Sequence, residues 1–381
     1  MSRAEDPWAP RATVDLGAVR RNARRLLDRC PAGTELLAAV KADAYGHGAV
    51  PVARALERDG VGWFGVATAD EAEALRAGGV EGRILVFGPL RGDAVRRALA
   101  ADADLTVCDE DDVDAAAAEA SRDRPARLHL KIDTGMGRLG RPPAQAPTVA
   151  ARIAATPELR FEAAWTHLAR ADEPAEDATE LQLAAFREAL DALDAAGHRP
   201  RLRHAANSAG TIAHPESHFD LIRPGISLYG YPPGPDLAEA AADLEPALTL
   251  DAPVVFVKPV AHGATVSYGH RWRAPSDTTV ATVRIGYADG YPRALTNLGE
   301  ATLGGRTCRV VGTVCMDQLM LDVGDADVTV GDRAVLLGPD GPRADDLALR
   351  IGSIPYDLLT RLSSRVERRW IAGDEGATDA S

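Results

Sequence analysis

Short apolar runs rich in β-branched residues alternate with amphipathic stretches over the first two thirds of the chain. Eight runs are readable, at 36–41, 62–67, 84–87, 104–107, 127–132, 161–167, 202–206 and 220–223. Between most of them, apolar residues recur with helical period, as in ADEAEALRAG at 69–78 and ELQLAAFREALDALDAAG at 180–197. Strands alternating with helices imply a parallel sheet. Eight units in about 210 residues predict a closed (β/α)8 TIM-type barrel, with an open doubly wound sheet as the alternative. A helix over 16–29, with Asp15 as its N-cap, precedes the first run. After about residue 246 the helical period stops. Alternating segments follow at 252–260, 264–268, 278–287, 307–315, 318–323 and 333–337, separated by Gly, Asp and Pro turns. The expected organisation is an α/β barrel over 11–245, an all-β domain over 246–370 and a disordered tail over 371–381.

Composition narrows the class. At 381 residues the chain is long enough for two or three domains, and its 46% apolar, 26% charged content is that of a globular protein. The net charge of −13 offers no general basic footprint for nucleic acid. No apolar run reaches the roughly 18 residues of a membrane helix. The acidic, Pro-containing start MSRAEDPWAP does not read as a signal peptide, so a cytoplasmic protein is expected. Four cysteines without a CxxC pair are expected to be reduced thiols.

Of the 43 basic residues only three are lysines, Lys41, Lys131 and Lys258. Arginine cannot replace lysine where an amine must lose its proton and attack a carbonyl. Lys41 ends the first run, in AVKADAYGHG, at what would be a barrel mouth, where desolvation lowers an amine pKa for Schiff-base chemistry. The fifth run leads into KIDTGMGRLG, a G-x-G-x-x-G match. Pro142 and Pro143 follow where a dinucleotide-binding helix should continue, which argues against a dehydrogenase and leaves Arg138 as a candidate carboxylate ligand. Asn207, Ser208, Gly225 and Ile226 fall in the loops after the last two runs, where barrels commonly bind phosphate. Arg223 ends a buried run and should have a fixed partner. A lysine, a phosphate loop and a buried arginine together describe a pyridoxal phosphate site. Tyr268, in VSYGHRW, is a candidate acid/base in the β domain. No histidine pattern has ligand spacing, so no catalytic metal is expected.

From about residue 11 to 370 the chain resembles alanine racemases, pyridoxal 5′-phosphate enzymes of fold type III. AVKADAYGHG, KIDTGMGRLG, THLARAD, NSAG, RPGISLYG, VSYG, IGYADGYPR and VCMDQ occur in the family's order. The resemblance implies a head-to-tail homodimer in which each β domain completes the partner's site. It implies racemisation of alanine, supplying D-alanine for peptidoglycan. Lys41 then corresponds to the cofactor-bearing lysine and one catalytic base, and Tyr268 to the second base on the opposite face. Tyr45, Ser208, Gly225, Ile226 and Tyr356 resemble phosphate ligands, with Asn207 beside them. Arg223 resembles the arginine facing the pyridine nitrogen, and His167 links it toward Tyr268. Arg138 and the Met316 N–H resemble substrate-carboxylate contacts, supported by Lys131, Asp317 and Tyr287. Lys131 matches a lysine carbamylated in some members, and Lys258 a family strand position without an assigned chemical role.

Three departures from the family pattern bear on substrate range. Thr313 stands where arginine is frequent, Arg170 where a smaller residue is usual, and Pro355 precedes Tyr356. The expectation is that Arg170 replaces the lost charge near Asp172 and Arg293, and that Pro355 shifts the tyrosine limiting side-chain room. The alternative readings are a racemase for a larger amino acid, a metal-assisted D-threonine aldolase, and a non-catalytic pyridoxal phosphate carrier.

Overall fold

The computed structural model describes residues 6–372. Its chain groups into two compact units. One comprises Val19–Ala44 and Gly48–Leu244; the other comprises the chain up to Ala18, the short stretch Tyr45–His47 and the chain from Glu245 onward.

The first unit carries eight strands, Glu35–Ala39, Trp63–Val66, Arg83–Val86, Ala103–Val107, Ala126–Lys131, Leu159–Trp165, Leu202–His204 and Leu221–Ile222. Each pairs in parallel with the next up to Leu202–His204, and Glu35–Ala39 pairs in parallel with Leu221–Ile222. The ring closes where the Asp220 N–H donates to the Arg203 carbonyl at 3.0 Å and the Arg223 N–H to the Ala206 carbonyl at 2.9 Å. This is the expected (β/α)8 barrel. Leu37, Trp63, Leu85, Ala163, Leu202 and Leu221 form one buried cluster drawn from six of its strands. Burial of each large side chain contributes about 1.5–3 kcal/mol.

In the barrel, observed strand ends differ from the sequence reading by up to two residues; in the second unit they differ by up to five, the expected strand 307–315 ending at Val310. The difference matters once: the first strand stops at Ala39, so Lys41 does not end it but opens a separate turn.

The second unit holds an eight-stranded sheet of Arg11–Asp15, Leu248–Val260, Thr278–Val283, Glu300–Leu303, Arg306–Val310, Leu319–Gly324, Arg333–Leu337 and Glu367–Ile371. Pairing is antiparallel except between Arg11–Asp15 and Glu367–Ile371. A ribbon of Thr265–Val266 and Trp272–Arg273 stands apart from the sheet. Val260, Val266, Ala274, Val280, Val311 and Met320 form a core cluster of this unit.

Three expectations need correction here. The chain start at Arg11 belongs to this sheet and not to the barrel, since Arg11–Asp15 pairs with Leu248–Val260 and Glu367–Ile371. The C-terminal segment is not purely β, because helices Ala344–Arg350 and Pro355–Thr360 interrupt it; each is too short for its period to stand out in sequence. Ile371 closes a strand, and the rest of the expected tail, residues 373–381, lies outside the described residues. The first helix runs over Leu16–Leu27, with the Asp15 carboxylate accepting from the Ala18 N–H at 3.0 Å, as an N-cap should. No helix among the described residues is long and apolar enough to cross a membrane.

Candidate active site

Lys41 begins a turn whose next residues, Ala42, Asp43, Ala44 and Tyr45, all have φ between 52° and 55°. Four successive non-glycine residues in the left-handed region cost roughly 1 kcal/mol or more each. Such strain persists only where neighbours over-determine it. Glu71 does so: its Oε1 accepts from the Ala42 N–H at 2.6 Å, and its Oε2 accepts from the Ala67 N–H at 2.7 Å. Asp43 completes the hold, accepting from the Ala49 N–H at 2.8 Å. Burial first, then the charge of Arg138, lowers the Lys41 amine, with Glu71 opposing the shift. An amine so placed loses its proton more readily than an exposed lysine.

The glycines of KIDTGMGRLG shape the loop that carries Arg138. Asp133 Oδ1 accepts from the N–H groups of Gly135 and Gly137 at 3.0 and 3.1 Å. Gly140, at φ 110°, lies so close that a Cβ would sit 2.8 Å from the Lys131 carbonyl. Arg138 is exposed on this loop and makes no ion pair or hydrogen bond among the described residues. Lys131, at the strand end beneath, is buried and donates to the Ile132 carbonyl at 3.1 Å.

Arg223 is 4% exposed and has no carboxylate partner among the described residues. Its Nη2 donates to the carbonyls of Thr166 and Ala205 at 2.8 and 2.9 Å and approaches His167 Nδ1 at 3.4 Å; its Nη1 donates to His204 Nδ1 at 3.0 Å. Burial pushes the guanidinium down to about 9. Burial, followed by the charges of Arg223, Lys131, Arg138 and Lys41, holds His167 well below its ordinary value.

The loops after the last two barrel strands converge as well. Asn207 caps helix Ser208–Ala213, its Oδ1 accepting from the Gly210 N–H at 2.9 Å while its Nδ2 donates to the Leu168 carbonyl at 3.2 Å. Ser208 Oγ accepts from the N–H groups of Gly225 and Ser227 at 2.9 and 3.4 Å. The N–H groups of Ser208 and Ile226, both in buried residues, have no acceptor among the described residues. Buried N–H groups are nearly always paired. The donor set therefore fits a phosphoryl group, and the arginine without an anion fits the acceptor nitrogen of a pyridine ring.

The second unit holds the remaining candidates. Tyr268 lies in a short 3-10 turn and is 74% exposed. Its backbone is clamped by Thr313, whose Oγ1 donates to the Tyr268 carbonyl at 2.7 Å while the Thr313 carbonyl accepts from Ser267 Oγ at 2.6 Å. Gly312, at φ 77°, lets the strands approach, since a Cβ there would sit 2.7 Å from the Val266 carbonyl. The IGYADG loop is tied to VCMDQ, with the N–H groups of Tyr287 and Ala288 donating to the carbonyls of Cys315 and Met316 at 3.1 and 3.0 Å. Met316 is exposed, and its N–H has no acceptor among the described residues. Asp317 pairs with Arg365 at 2.7 Å. Tyr45 and Tyr356 pack with ring centroids 5.8 Å apart at 50°.

Lys41, Lys131, Arg138, His167, Asn207, Ser208, Arg223, Gly225 and Ile226 thus belong to the barrel unit; Tyr45, Tyr268, Tyr287, Met316, Asp317 and Tyr356 belong to the second. Two of the departures have a local structural account. Arg170 pairs with Glu173 and Glu176, its own near neighbours on the chain, and the charge of Asp172 also acts on it. Pro355 occupies the first position of helix Pro355–Thr360, where its fixed φ suits a helix start. The sequence reading missed Glu71, Asp104, His129, Trp165 and His204. For Asp104, His129 and His204 the available signal was a polar residue at a buried strand position, in ADLTV, ARLHLK and LRH, which is costly unless bonded.

The comparisons agree with this geometry. The family model "Alanine racemase, N-terminal domain" matches residues 14–233 and "Alanine racemase, C-terminal domain" matches residues 247–370. An alanine racemase of Frankia casuarinae is 44% identical over 368 residues, covering 94% of this chain and 96% of the relative. One of Salinispora arenicola is 43% identical over 373 residues, covering 95% and 98%. The crystal structure of alanine racemase from D-cycloserine-producing Streptomyces lavendulae superposes with a TM-score of 0.92 at 41% identity, covering 97% of this chain and 98% of that one. With both halves of the family model matched and the same fold shared along nearly the whole length, the chain belongs to the alanine racemase family.

Proposed function

We propose that the protein is a pyridoxal 5′-phosphate-dependent racemase that interconverts L- and D-alanine in the cytoplasm and supplies D-alanine for peptidoglycan. The observation that carries the cofactor reading is Arg223, a buried guanidinium whose partners are carbonyls and imidazoles only. Such a group would hold the ring nitrogen as a donor and leave it unprotonated, because the guanidinium, even lowered to about 9, keeps its proton at neutral pH. Ser208, Gly225, Ile226, Asn207, Tyr45 and Tyr356 would hold the phosphate. When bound, the cofactor draws electrons from the substrate Cα and so acidifies its proton.

Inverting a stereocentre requires removing that proton on one face and returning one on the other. Lys41, with its lowered amine, would serve one face and Tyr268 the other. Arg138 and the Met316 N–H would bind the substrate carboxylate. The exposure of Tyr268 and Met316 in a single chain supports a homodimer in which each C-terminal unit supplies these groups to the partner's barrel.

Incubation of the cofactor-loaded protein with L-alanine in D2O, followed by ¹H NMR and chiral analysis, tests the reading. Exchange of the Cα proton together with D-alanine formation is the expected result. Bound cofactor with no Cα exchange would overturn it.

A further inference from the structure

Arg223 is one end of a hydrogen-bonded chain that crosses the barrel interior. Its Nη1 donates to His204 Nδ1 at 3.0 Å, His204 Nε2 meets His129 Nδ1 at 3.0 Å, and His129 Nε2 meets Asp104 Oδ2 at 2.9 Å. Asp104, His129 and His204 are fully buried. The chain has a direction. A guanidinium only donates, so His204 must accept at Nδ1 and carry its proton on Nε2. That proton faces His129, which accepts at Nδ1 and carries its own proton on Nε2, aimed at the carboxylate. One arrangement of protons satisfies all three contacts, and reversing either ring sets two donors face to face.

Asp104 is anchored at the far end. Arg127 Nε donates to its Oδ1 at 2.6 Å, and Arg83, whose guanidinium lies 4.1 Å from the Trp63 ring, pairs with its Oδ2. Burial alone would raise the Asp104 carboxyl, but the His129 bond and the two guanidinium groups outweigh it and hold the group below its ordinary value. Burying four polar side chains costs desolvation that an apolar layer would avoid. What the arrangement supplies is an imidazole lone pair held against Arg223.

We infer that Asp104 is a positioning residue for Arg223, fixing the proton positions of His129 and His204 so that His204 presents a lone pair to the guanidinium. The catalytic consequence rests on the assignment of Arg223 to the cofactor; the proton positions do not.

Long-range ¹H–¹⁵N spectra of the ¹⁵N-histidine-labelled holoenzyme are expected to show both imidazoles protonated on Nε2. In Asp104→Asn an amide oxygen kept on Arg127 puts the N–H2 at the position facing His129, where Arg83 falls back on its second partner Glu162, and the chain reverses. His204 then shifts toward the Nδ1-protonated form, and kcat falls roughly tenfold to a hundredfold with KM changed less than about threefold. His204→Asn keeps an acceptor for Arg223 but cuts the link, so adding Asp104→Asn to it lowers kcat by less than about twofold further. Native His204 protonated on Nδ1 would overturn the inference, and needs no variant to fold. An equal loss from Asp104→Asn in the native and His204→Asn backgrounds would also overturn it, assigning Asp104 to barrel stability alone. If the protein proved not to racemise alanine, the proton positions would still decide the inference separately.

Discussion

Lys131 and Arg223 share one indole ring: Lys131 Nζ lies 4.8 Å and Arg223 Cζ 4.9 Å from the centroid of Trp165. His204 stacks on the same ring at 5.4 Å and 13°. Two buried cations this close repel each other, and the indole offsets only part of that, on the order of 1–2 kcal/mol per cation. The conflict falls on the amine. Burial first, then the charge of Arg223, pushes Lys131 down to about 7, while Asp133 and Cys108 oppose the shift. The guanidinium, at about 9, stays charged at neutral pH.

Lys131 should therefore destabilise the fold in acid. Unfolded, the amine titrates near 10.5; folded, near 7. Below pH 7 both states are protonated and the fold bears the full cost of the buried cation. Between 7 and 10.5 the unfolded state binds more protons, so stability rises with pH. Lys131→Met is expected to raise Tm, by more at about pH 6 than at about pH 9, with a maximum gain of a few kcal/mol. Thermal melts at the two pH values check this. A loss of Tm that deepened as pH rose would instead mean that the amine is held as an anionic carbamate.

Tyr268→Phe keeps the ring and removes the proton donor. Racemisation should slow by roughly 10²–10⁴, chiefly in the direction starting from L-alanine. Initial rates in both directions measure it, and a small, equal effect would sink the two-base assignment.

Lys41→Ala is expected to abolish both racemisation and the visible absorbance of lysine-bound pyridoxal phosphate. Retained absorbance would move the cofactor to Lys131 or Lys258.

Thr313→Val removes the hydroxyl that donates to the Tyr268 carbonyl at 2.7 Å in a buried position. With one acceptor left unpaired, the turn loosens at a cost of about 1–3 kcal/mol. The kcat for L-alanine should fall by roughly fivefold or more, and Thr313→Ser, which keeps the hydroxyl, should restore it. Equal rates in the two variants would show that the clamp does not position Tyr268.

Arg170→Ala should change kcat/KM for alanine, and its salt dependence, by less than about twofold, because exposed ion pairs such as Arg170 with Glu173 and Glu176 contribute little. Rates measured at low and high salt check this. A large change would restore Arg170 as a substrate-entry charge.

Much of this site was legible in the chain order. Lys41 and Arg223 each end an apolar run, Arg138 and Ser208 each follow one, and a barrel brings all strand ends to one face whatever the side chains. Glu71 was not legible as the brace of the Lys41 turn, because it sits 29 residues on and also reads as an ordinary capping-box residue. Arg11–Asp15 was missed because a five-residue strand whose partners lie some 240 and 356 residues away leaves no local signal.

The sequence by itself determined the alternation of strands and helices, the change to strands near residue 246 and the reactive residue types, because periodicity and side-chain chemistry are local properties. Only the tertiary structure decided that Asp104, His129, His204 and Arg223 form one directed chain, that Thr313 holds Tyr268, and that Arg170 turns to its own neighbours. A buried polar group takes whichever partner the fold brings within hydrogen-bond reach, and closure of the barrel sets which strands stand side by side.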